Sequence, residues 1–315
     1  MKFTDRIYVA GHRGLVGSAI VRELHRRGFR SLVTRMRSEV DLTDARATEE
    51  FLRESRPDYV FLCAARVGGI EANRSLPADF IRENLQIQTN VIESAYHVDV
   101  QRLLFLGSSC IYPRDTPQPI PETAIMTGPL EPTNSAYATA KLAGIEMLRA
   151  YRDQYGFRSV AVMPTNLYGP ADNYALDSAH VLPALIRRFH EAKVSGVDHL
   201  TLWGTGNARR EFLHVDDCAR ACVSLMADHR DDDIFNVGTG EDLSIFGLAA
   251  TVASVVGYRG AVDWDPSKPD GTPAKRLDIR RLSALGWAPS ITLEAGLRRT
   301  YHDYLTDPAR IAEGT

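Results

Sequence analysis

An apolar strand, a glycine-rich turn and a helical segment follow one another at the start of the chain. Residues 6–10 (RIYVA) have the pattern of a buried strand, and residues 11–17 (GHRGLVG) carry three glycines spaced G-x-x-G-x-x-G. A helix is predicted from Ser18 to Arg27, with Gly28 as its stop. Glycines in such a unit let the backbone approach a pyrophosphate, which lies at the helix N-terminus. A plain tight turn is the alternative, but the strand, turn and helix in this order predict dinucleotide binding.

Strands and helices alternate through the rest of the chain. Further core strands are predicted at 31–34, 58–65 and 102–106. The 315 residues, 44% of them hydrophobic, can bury a large α/β core. We therefore expect an α/β fold with a Rossmann-type doubly wound parallel sheet and a smaller α/β C-terminal lobe. Residues 1–165 would form mainly the cofactor-binding domain and residues 166–315 mainly the substrate-binding lobe, with some segments interleaved.

Charge and composition exclude several classes of partner. The net charge of -3 gives no field that would attract nucleic acid or an anionic membrane. No apolar run of eighteen residues and no signal-peptide pattern is present, so the expected location is cytoplasmic. Four cysteines are too few for a disulfide scaffold, and no ligand pair at metal spacing accompanies them. No metal site is expected.

Basic residues follow the second predicted strand. Arg35 and Arg37 occupy positions where an NAD-selective site usually carries Asp or Glu. Two guanidinium groups suit a 2′-phosphate, which favours NADP(H) as the cofactor; a solvated basic loop is the alternative. Residues 41–44 (DLTD) are predicted to start a helix, with Asp41 placed to meet the edge of the adenine.

A tyrosine and a lysine stand four residues apart on a predicted helix. Tyr137 and Lys141 follow the turn at residues 132–135, and the helical pattern runs to Tyr155 with Gly156 as its stop. Residues at this spacing share a helix face, so we expect the ammonium to lower the pKa of the phenol and make it a proton donor. An ordinary amphipathic helix is the alternative for this pair taken alone.

A hydroxyl and a thiol precede this pair at the mouth of a strand. Ser108 and Cys110 follow strand 102–106, about thirty residues before Tyr137. A strand-end serine followed by a helical Tyr and Lys is the arrangement of the short-chain reductase triad. Cys110 taken alone would more often be a packing residue.

Several longer motifs carry a more specific resemblance. They are residues 106–113 (LGSSCIYP), 131–134 (EPTN), 137–141 (YATAK), 164–170 (PTNLYGP), 210–217 (REFLHVDD) and 268–271 (KPDG). Together they closely resemble the family of GDP-4-keto-6-deoxymannose epimerase-reductases, the GDP-L-fucose synthases, among the extended short-chain dehydrogenase/reductases. The likeness extends from Gly11 to about Tyr301.

This resemblance implies an activity and a set of catalytic residues. The expected reaction is NADPH-dependent epimerisation at C3 and C5 of a GDP-4-keto-6-deoxy sugar, followed by reduction at C4. Tyr137 would protonate the C4 oxygen within the triad, and the family's base and acid for epimerisation match a thiol and an imidazole. The implied catalytic residues are Ser108, Cys110, Tyr137, Lys141 and His180. Without the resemblance, His180 would simply cap a helix and Trp203 would be a core aromatic residue.

The resemblance also implies the binding residues and an oligomeric state. The positions that match cofactor contacts are Gly11, His12, Arg13, Gly14, Leu15, Val16, Gly17, Arg35, Arg37, Leu106, Gly107, Ser108, Ser109, Lys141, Pro164, Thr165, Asn166, Leu167 and His180, to which Asp41 is added for the adenine. Those that match contacts to the GDP-sugar are Arg188, Trp203, Arg210 and Asp270. The family is commonly dimeric, and helices 78–97 and 136–155 would form the contact.

Other functions on the same fold stay open at this point. A sugar-nucleotide 4,6-dehydratase would need an Asp-Glu pair after the triad serine, where this chain has Ser109 and Cys110. A 4-epimerase would need tightly held NAD, whereas Arg35 and Arg37 favour NADP(H). Another NADP(H)-dependent nucleotide-sugar epimerase or reductase remains, as does a non-catalytic NADP-sensing protein on the same scaffold.

Overall fold

A parallel sheet forms the centre of the molecule. The computed structural model describes residues 1–176, 178–229, 233–268 and 270–306. Six strands of the sheet pair in parallel throughout, in the order β2-β1-β3-β4-β5-β10. They are β1 (Ile7–Ala10), β2 (Leu32–Val33), β3 (Tyr59–Leu62), β4 (Arg102–Leu106), β5 (Ser159–Pro164) and β10 (Ile234–Val237).

The strand order reverses beside β1. The chain passes from β1 to β2 on one side of the sheet and places β3, β4 and β5 successively on the other. Ligands of open α/β sheets bind outside the carboxyl ends of the strands at such a reversal. Here the loops that follow β1 and β3 flank that point. The doubly wound fold class predicted from the sequence is confirmed.

Helices cover both faces of this sheet. The helices of the whole molecule are α1 (Leu15–Arg26), α2 (Ala45–Ser55), α3 (Ile70–Ser75), α4 (Pro77–His97), α5 (Ser135–Tyr155), α6 (Val181–Val194), α7 (Val215–Ala227), α8 (Ile245–Val256), α9 (Arg280–Ala284) and α10 (Leu293–Thr306). One apolar core joins α1 and α7 to the sheet, and a second joins α2, α4 and α5. The sheet is thus buried on both sides, as parallel sheets generally are.

The C-terminal half adds a lobe with its own core. Short strands form it, namely β6 (Asn166–Tyr168), β7 (His199–Trp203), β8 (Arg209–Arg210), β9 (Phe212–His214), β11 (Leu243–Ser244), β12 (Ala261–Asp265) and β13 (Ala274–Lys275). Helices α6, α8 and α10 pack around a third apolar cluster there. Helix α7 and strand β10 belong to this half of the sequence but pack with the central sheet. The division of the chain at residue 165 stays a prediction.

Two helix starts differ from the sequence-based expectation. Helix α1 begins at Leu15 instead of Ser18, because Gly17 is a helical residue and Gly14 takes the N-cap. Helix α2 begins at Ala45, directly after the stretch 41–44 that was predicted to start it, because the Asp44 side chain accepts a hydrogen bond from the Ala47 amide and caps the helix. Residues 41–43 therefore precede the helix, and only Asp44 of the predicted stretch takes part in its start.

Some predicted ends agree closely. Helix α5 ends at Tyr155, and Gly156 follows it in the left-handed conformation, with φ of +69°. Helix α4 spans the predicted stretch, with Pro77 at its first position. Among the described residues, no helix is both long and apolar enough to cross a bilayer.

Candidate active site

The glycine turn between β1 and α1 leaves no room for side chains. Gly11 has φ of +78°, and a Cβ atom on it would lie 2.9 Å from the Ala64 nitrogen. A Cβ atom on Gly17 would lie 2.1 Å from the Gly11 carbonyl oxygen. The Gly14 amide donates to that same oxygen at 3.0 Å and closes the turn. Bare backbone and a helix N-terminus thus meet at the reversal of the sheet, which suits a pyrophosphate.

His12 supplies an unsatisfied polar atom in this turn. Its Nδ1 atom is buried and has no hydrogen-bond partner within the part of the chain that the structure describes. Desolvation, helped by the neighbouring Arg13, lowers the pKa of the ring below its ordinary value. Buried polar atoms in proteins are nearly always paired, so this nitrogen is a group that a bound ligand can satisfy. Together with the glycine cradle, it makes the turn fit a dinucleotide cofactor.

Replacing Gly17 by Ala is expected to raise the Kd for NADPH by about tenfold or more. Alanine normally favours a helix over glycine by about 1 kcal/mol. Here its methyl group would press on the Gly11 carbonyl oxygen and force α1 away from the turn. Fluorescence titration with NADPH measures the change, and Gly247→Ala, at the start of α8, is the matched control. An unchanged Kd would show that the turn does not need this close approach.

Arg35 lies at the carboxyl end of β2 with an exposed side chain. Its guanidinium stacks over the Phe51 ring, 5.5 Å from the ring centre, and donates to the Thr34 carbonyl at 2.8 Å. Stacking fixes the plane of the fork while leaving donors in solvent. Arg13, from the glycine turn, approaches the same region, with its Nη1 atom 3.7 Å from the Met36 sulfur. The predicted cofactor arginines are therefore brought to one edge of the sheet.

Arg37 is held by two carboxylates beside that edge. It lies 3.5 Å from Asp41 and 3.7 Å from Glu83, and its side chain is largely exposed. Long ion pairs made by an exposed arginine contribute little, so a phosphate can replace them. Asp41 accepts hydrogen bonds from the Thr43 amide and hydroxyl, which lower the pKa of its carboxyl group.

The loop after β4 carries the predicted serine and thiol. The Gly107 amide donates to the Val162 carbonyl at 2.9 Å, which keeps the loop aligned with β5. Ser108 then caps a short 3-10 helix at residues 109–111 by accepting a hydrogen bond from the Cys110 amide at 3.2 Å. This cap turns the chain sharply, so that the serine and the cysteine both lie near the first turn of α5.

Lys141 is buried beneath this loop, with 3% of its surface exposed. Its ammonium donates to the Leu106 carbonyl at 2.8 Å and lies 4.9 Å from the centre of the Phe105 ring. Desolvation lowers the pKa of Lys141 to about 8. A lysine with this pKa changes its charge within the range in which enzymes work.

The pKa of Tyr137 moves in the direction opposite to the one predicted. Burial is the main cause, and the nearby Cys110 adds to it, so the pKa of the phenol is raised; an interaction with the Ser108 hydroxyl offsets a small part. The Lys141 ammonium lies 5.9 Å from the centre of the Tyr137 ring and donates its hydrogen bond to the Leu106 carbonyl instead. The expected lowering by Lys141 is therefore wrong, and Tyr137 is firmly protonated, as a proton donor must be.

The end of β5 is tied to the C-terminal lobe by one buried glutamate. Residues 164–167 follow the sheet edge, and the side chains of Thr165 and Asn166 donate to the Glu211 carbonyl at 3.1 and 2.9 Å. The Glu211 side chain is fully buried and accepts hydrogen bonds from the amides of Thr239, Gly240 and Leu277. Its burial raises the pKa of the carboxyl group.

His180 lies at the N-cap of α6. Its backbone is extended, and its side chain does not cap the helix. The ring keeps contact with solvent but is crowded by surrounding protein, and desolvation lowers its pKa below the ordinary value. A neutral imidazole can take up a proton, and the imidazolium that results can deliver that proton.

Arg210 connects the thiol to the C-terminal lobe. It is largely desolvated, which lowers its pKa, and the acidic groups that interact with it are Cys110, Asp270 and Glu131. Asp270 in turn accepts hydrogen bonds from the Thr205 amide and hydroxyl, both at 2.7 Å. These bonds lower the pKa of Asp270 and keep it ionised. The structure thus brings Arg210 and Asp270 together beside the predicted catalytic residue Cys110.

The other two predicted substrate residues lie on the same lobe. Trp203, at the end of β7, is 64% exposed, and the Lys268 ammonium lies 5.6 Å from its ring centre. Arg188, on α6, donates to the Thr201 carbonyl at 2.6 Å, and desolvation lowers its pKa. An exposed tryptophan at a strand end is a ready stacking surface for a planar group. Pro269 of the KPDG motif lies outside the described residues.

Sequence reasoning missed several residues of this region. Glu211 was treated only as a member of the REFLHVDD motif. Its position in the sequence does not show that loops from both halves of the chain donate hydrogen bonds to it. Thr205 was not singled out either, although its amide and hydroxyl donate hydrogen bonds to Asp270. Glu83, which the sequence analysis did not single out, is buried and pairs with Arg66 at 2.6 Å. A carboxylate directly before the apolar pair Phe212 and Leu213 was the available signal for Glu211.

Comparisons with known proteins agree with this geometry. The family model described as "NAD dependent epimerase/dehydratase family" matches residues 7–238. "GDP-L-fucose synthase 1" from Arabidopsis thaliana is 56% identical over 300 residues, covering 95% of this chain and 93% of the relative. "GDP-L-fucose synthase" from Escherichia coli (strain K12) is 51% identical over 315 residues, covering 97% and 98%.

A solved structure extends the likeness to three dimensions. A GDP-L-fucose synthetase from Naegleria fowleri bound to NADP superimposes with a TM-score of 0.91 at 26% identity, covering 98% of this chain and 96% of that one. The family expected from the motifs is confirmed at nearly full length. The chain therefore belongs to the NAD dependent epimerase/dehydratase family, among relatives that carry the name GDP-L-fucose synthase.

Proposed function

We propose that the protein converts GDP-4-dehydro-6-deoxy-D-mannose to GDP-L-fucose by 3,5-epimerisation and 4-reduction with NADPH. The observation that carries the proposal is that Cys110 lies close enough to Tyr137 and Arg210 to interact with both. A thiol beside a proton-donating phenol is what an epimerase-reductase needs and a simple reductase does not. The names of close relatives support the same substrate.

In the reduction step, we propose that Tyr137 acts as the proton donor. NADPH, when bound, supplies the hydride for C4 of the sugar. Because burial keeps the phenol protonated, Tyr137 releases its proton only to an oxygen that is gaining negative charge. Ser108 orients the phenol, and the buried Lys141 ammonium places a positive charge behind it. These donors stabilise the developing oxyanion.

In the epimerisation steps, we propose Cys110 as the base and His180 as the acid. Protons beside a ketone are acidic because the resulting carbanion delocalises onto the C4 oxygen, where Tyr137 and Ser108 can donate hydrogen bonds. Arg210 provides positive charge near the Cys110 thiolate that starts the reaction. His180 takes up a proton from solvent and, as the imidazolium, delivers it to the opposite face of the ring, which inverts the carbon centre. The Cys110 thiol then gives the abstracted proton to solvent, and both groups are ready for the next centre.

The proposed binding residues divide into a cofactor group and a substrate group. The glycine turn, residues 106–109 and residues 164–167 would hold the cofactor along the sheet edge, with Arg35 and Arg37 on its 2′-phosphate. Arg188 and Arg210 would bind the diphosphate of the substrate, and Trp203 would stack on its base. Since Asp270 is ionised, it suits the hydrogen-bond donors of guanine or ribose better than a phosphate.

A direct assay tests the proposed function. The purified protein is mixed with NADPH and GDP-4-dehydro-6-deoxy-D-mannose, the nicotinamide absorbance is followed, and NMR identifies the sugar. We expect NADPH consumption and the L-fucose configuration, and we expect Cys110→Ser to lose inversion. A GDP-mannoheptose C4 reductase from Campylobacter jejuni is 36% identical, with a TM-score of 0.89, covering 97% of this chain and all of that one. Tight NADPH binding without turnover would favour such a different sugar or the sensor alternative.

The pKa of Lys141 predicts how activity depends on pH. Its ammonium is charged below about pH 8 and loses its proton above it. We expect kcat/KM to fall as pH rises through that value, because the charge behind Tyr137 disappears. Lys141→Arg, which stays charged, should move the decline to higher pH. A profile that is the same for both proteins would show that another group controls the decline.

We also propose that two copies pair through α4 and α5. These helices pack against each other along the sheet face, and Tyr155, near the end of α5, is 47% exposed. Light scattering at working concentration is expected to give the mass of a dimer, and a monomer mass would refute the proposal. The cytoplasmic location stays a prediction.

A further inference from the structure

A loop after β3 packs directly against the residues that precede His180. The loop spans residues 66–69, and it leads from the central sheet into α3. The Gly69 amide donates to the Ser178 carbonyl at 2.9 Å. This contact joins the edge of the cofactor-binding sheet to the chain that enters α6. His180 is the second residue after the contact, so the loop is well placed to set its position.

Gly69 makes this contact because it has no side chain. A Cβ atom on Gly69 would lie 2.7 Å from the Ala179 carbonyl oxygen and 3.4 Å from the Ser178 carbonyl oxygen. Gly69 has φ of -65° and ψ of -178°, a conformation that alanine adopts freely. Substitution by alanine would therefore not strain its own backbone. Its effect would come from pushing the 178–179 backbone away from the sheet.

The loop side of the contact is held by buried side chains, whereas residues 178 and 179 lie in a more exposed turn, where their amides donate to the Ala175 carbonyl at 3.1 and 2.7 Å. We therefore expect the displacement mainly on the 178–179 side. Asn73, which is 7% exposed, donates its side-chain amide to the carbonyl oxygens of Gly68 and Gly69 at 2.8 and 2.9 Å. At the start of the loop, the Arg66 amide donates to the Asn84 side chain at 3.0 Å, and Asn84 donates back to the Arg66 carbonyl. Both ends of the loop are thus fixed by buried amides.

The His180 side chain has no comparable brace. It makes no hydrogen bond within the described ranges of the chain, and it does not cap α6. Its carbonyl accepts the Ala184 amide, which fixes the helix after it. The position of the imidazole therefore depends on the backbone of His180. That backbone is fixed by α6 after it and by the contact of Gly69 with residues 178–179 before it.

We propose that Gly69 is a positioning residue, which holds His180 at the distance from the sheet that proton return to the sugar requires. The proposal rests on the proposed function of His180 as the epimerisation acid. A shift of about 1 Å in a reacting group can lower a rate by about a hundredfold. Gly69→Ala is therefore expected to slow proton exchange at the epimerised carbons while leaving cofactor binding intact.

The test uses the full chain with four variants: Gly69→Ala, His180→Gln, the double variant, and Gly247→Ala as the control. Solvent deuterium incorporated at C3 and C5 is measured by NMR, and the Kd for NADPH by fluorescence. We expect Gly69→Ala to lower incorporation at least tenfold, with the Kd for NADPH within twofold of the wild type. The double variant should be no slower than His180→Gln, because Gly69 acts through His180. Additive losses would overturn the proposal.

A second measurement does not depend on turnover. Histidines labelled with carbon-13 at Cε1 give one signal each, and His180→Gln identifies the signal of His180. In Gly69→Ala we expect that signal to shift while the signals of the histidines far from the contact stay in place. An unmoved His180 signal would overturn the proposal even if activity fell. A shifted signal in a protein without epimerase activity would support the positioning role and reject the proposed function.

Discussion

Replacing Tyr137 by Phe is expected to lower the rate of NADPH oxidation about a thousandfold. General acid catalysis by a positioned side chain contributes about 10²- to 10⁴-fold, and this phenol is the buried, protonated donor of the site. Phenylalanine keeps the ring, which packs edge to face against Phe80 with centres 6.4 Å apart. The fold should therefore be preserved while the donor is lost.

Single-turnover absorbance with saturating NADPH measures this effect without interference from product release. Tyr155→Phe is the matched control, because it removes a phenol hydroxyl from the same helix at an exposed position. The control should retain the wild-type rate. If the Tyr137→Phe protein keeps more than a tenth of the wild-type rate, another group, such as Ser108, is the proton donor.

Replacing Glu211 by Ala is expected to reduce the free energy of unfolding by about 3–5 kcal/mol. The carboxylate is fully buried and satisfies the amides of Thr239, Gly240 and Leu277. Removing one acceptor for several buried donors leaves them unpaired, at about 1–3 kcal/mol for each group. Alanine also leaves a cavity where strands from both halves of the chain meet.

Urea unfolding followed by circular dichroism measures this loss, and Glu241→Ala serves as the control. Glu241 directly follows Thr239 and Gly240, whose amides donate to Glu211, but its own side chain is exposed, so its removal should change stability little. Glu211→Gln should fall between the two, because it keeps one accepting oxygen and turns the other into a donor that faces amides. Equal stability of the Glu211 and Glu241 variants would mean that the loops find other acceptors.

The sequence predicted the elements whose signals are local. The strand, glycine turn and helix at the N-terminus, and the α5 helix with its Gly156 stop, depend on residues close together in the chain. Tyr137 and Lys141 share a helix face for the same reason. The family motifs then linked these local units to a common site.

Features that depend on burial could not be predicted in this way. The pKa of Tyr137 was expected to fall because Lys141 is near, but the sequence does not reveal that desolvation exceeds the effect of the ammonium. Gly69 appeared as part of a glycine pair after a strand, and its partner at residue 179 lies more than a hundred positions away. The same holds for Glu211, whose hydrogen-bond donors come from two distant loops.

During translation, α7 and β10 are made after the other strands of the central sheet, although they pack with that sheet. One edge of the central sheet and part of the cover of one face are supplied only by residues 215–237. Until these residues leave the ribosome, β5 is an open edge and the apolar side of α1 lacks its partner. A fragment that stops at residue 165 is therefore expected to aggregate when it is expressed alone. Splitting this chain into separate cofactor and substrate halves would require moving those residues with the first half.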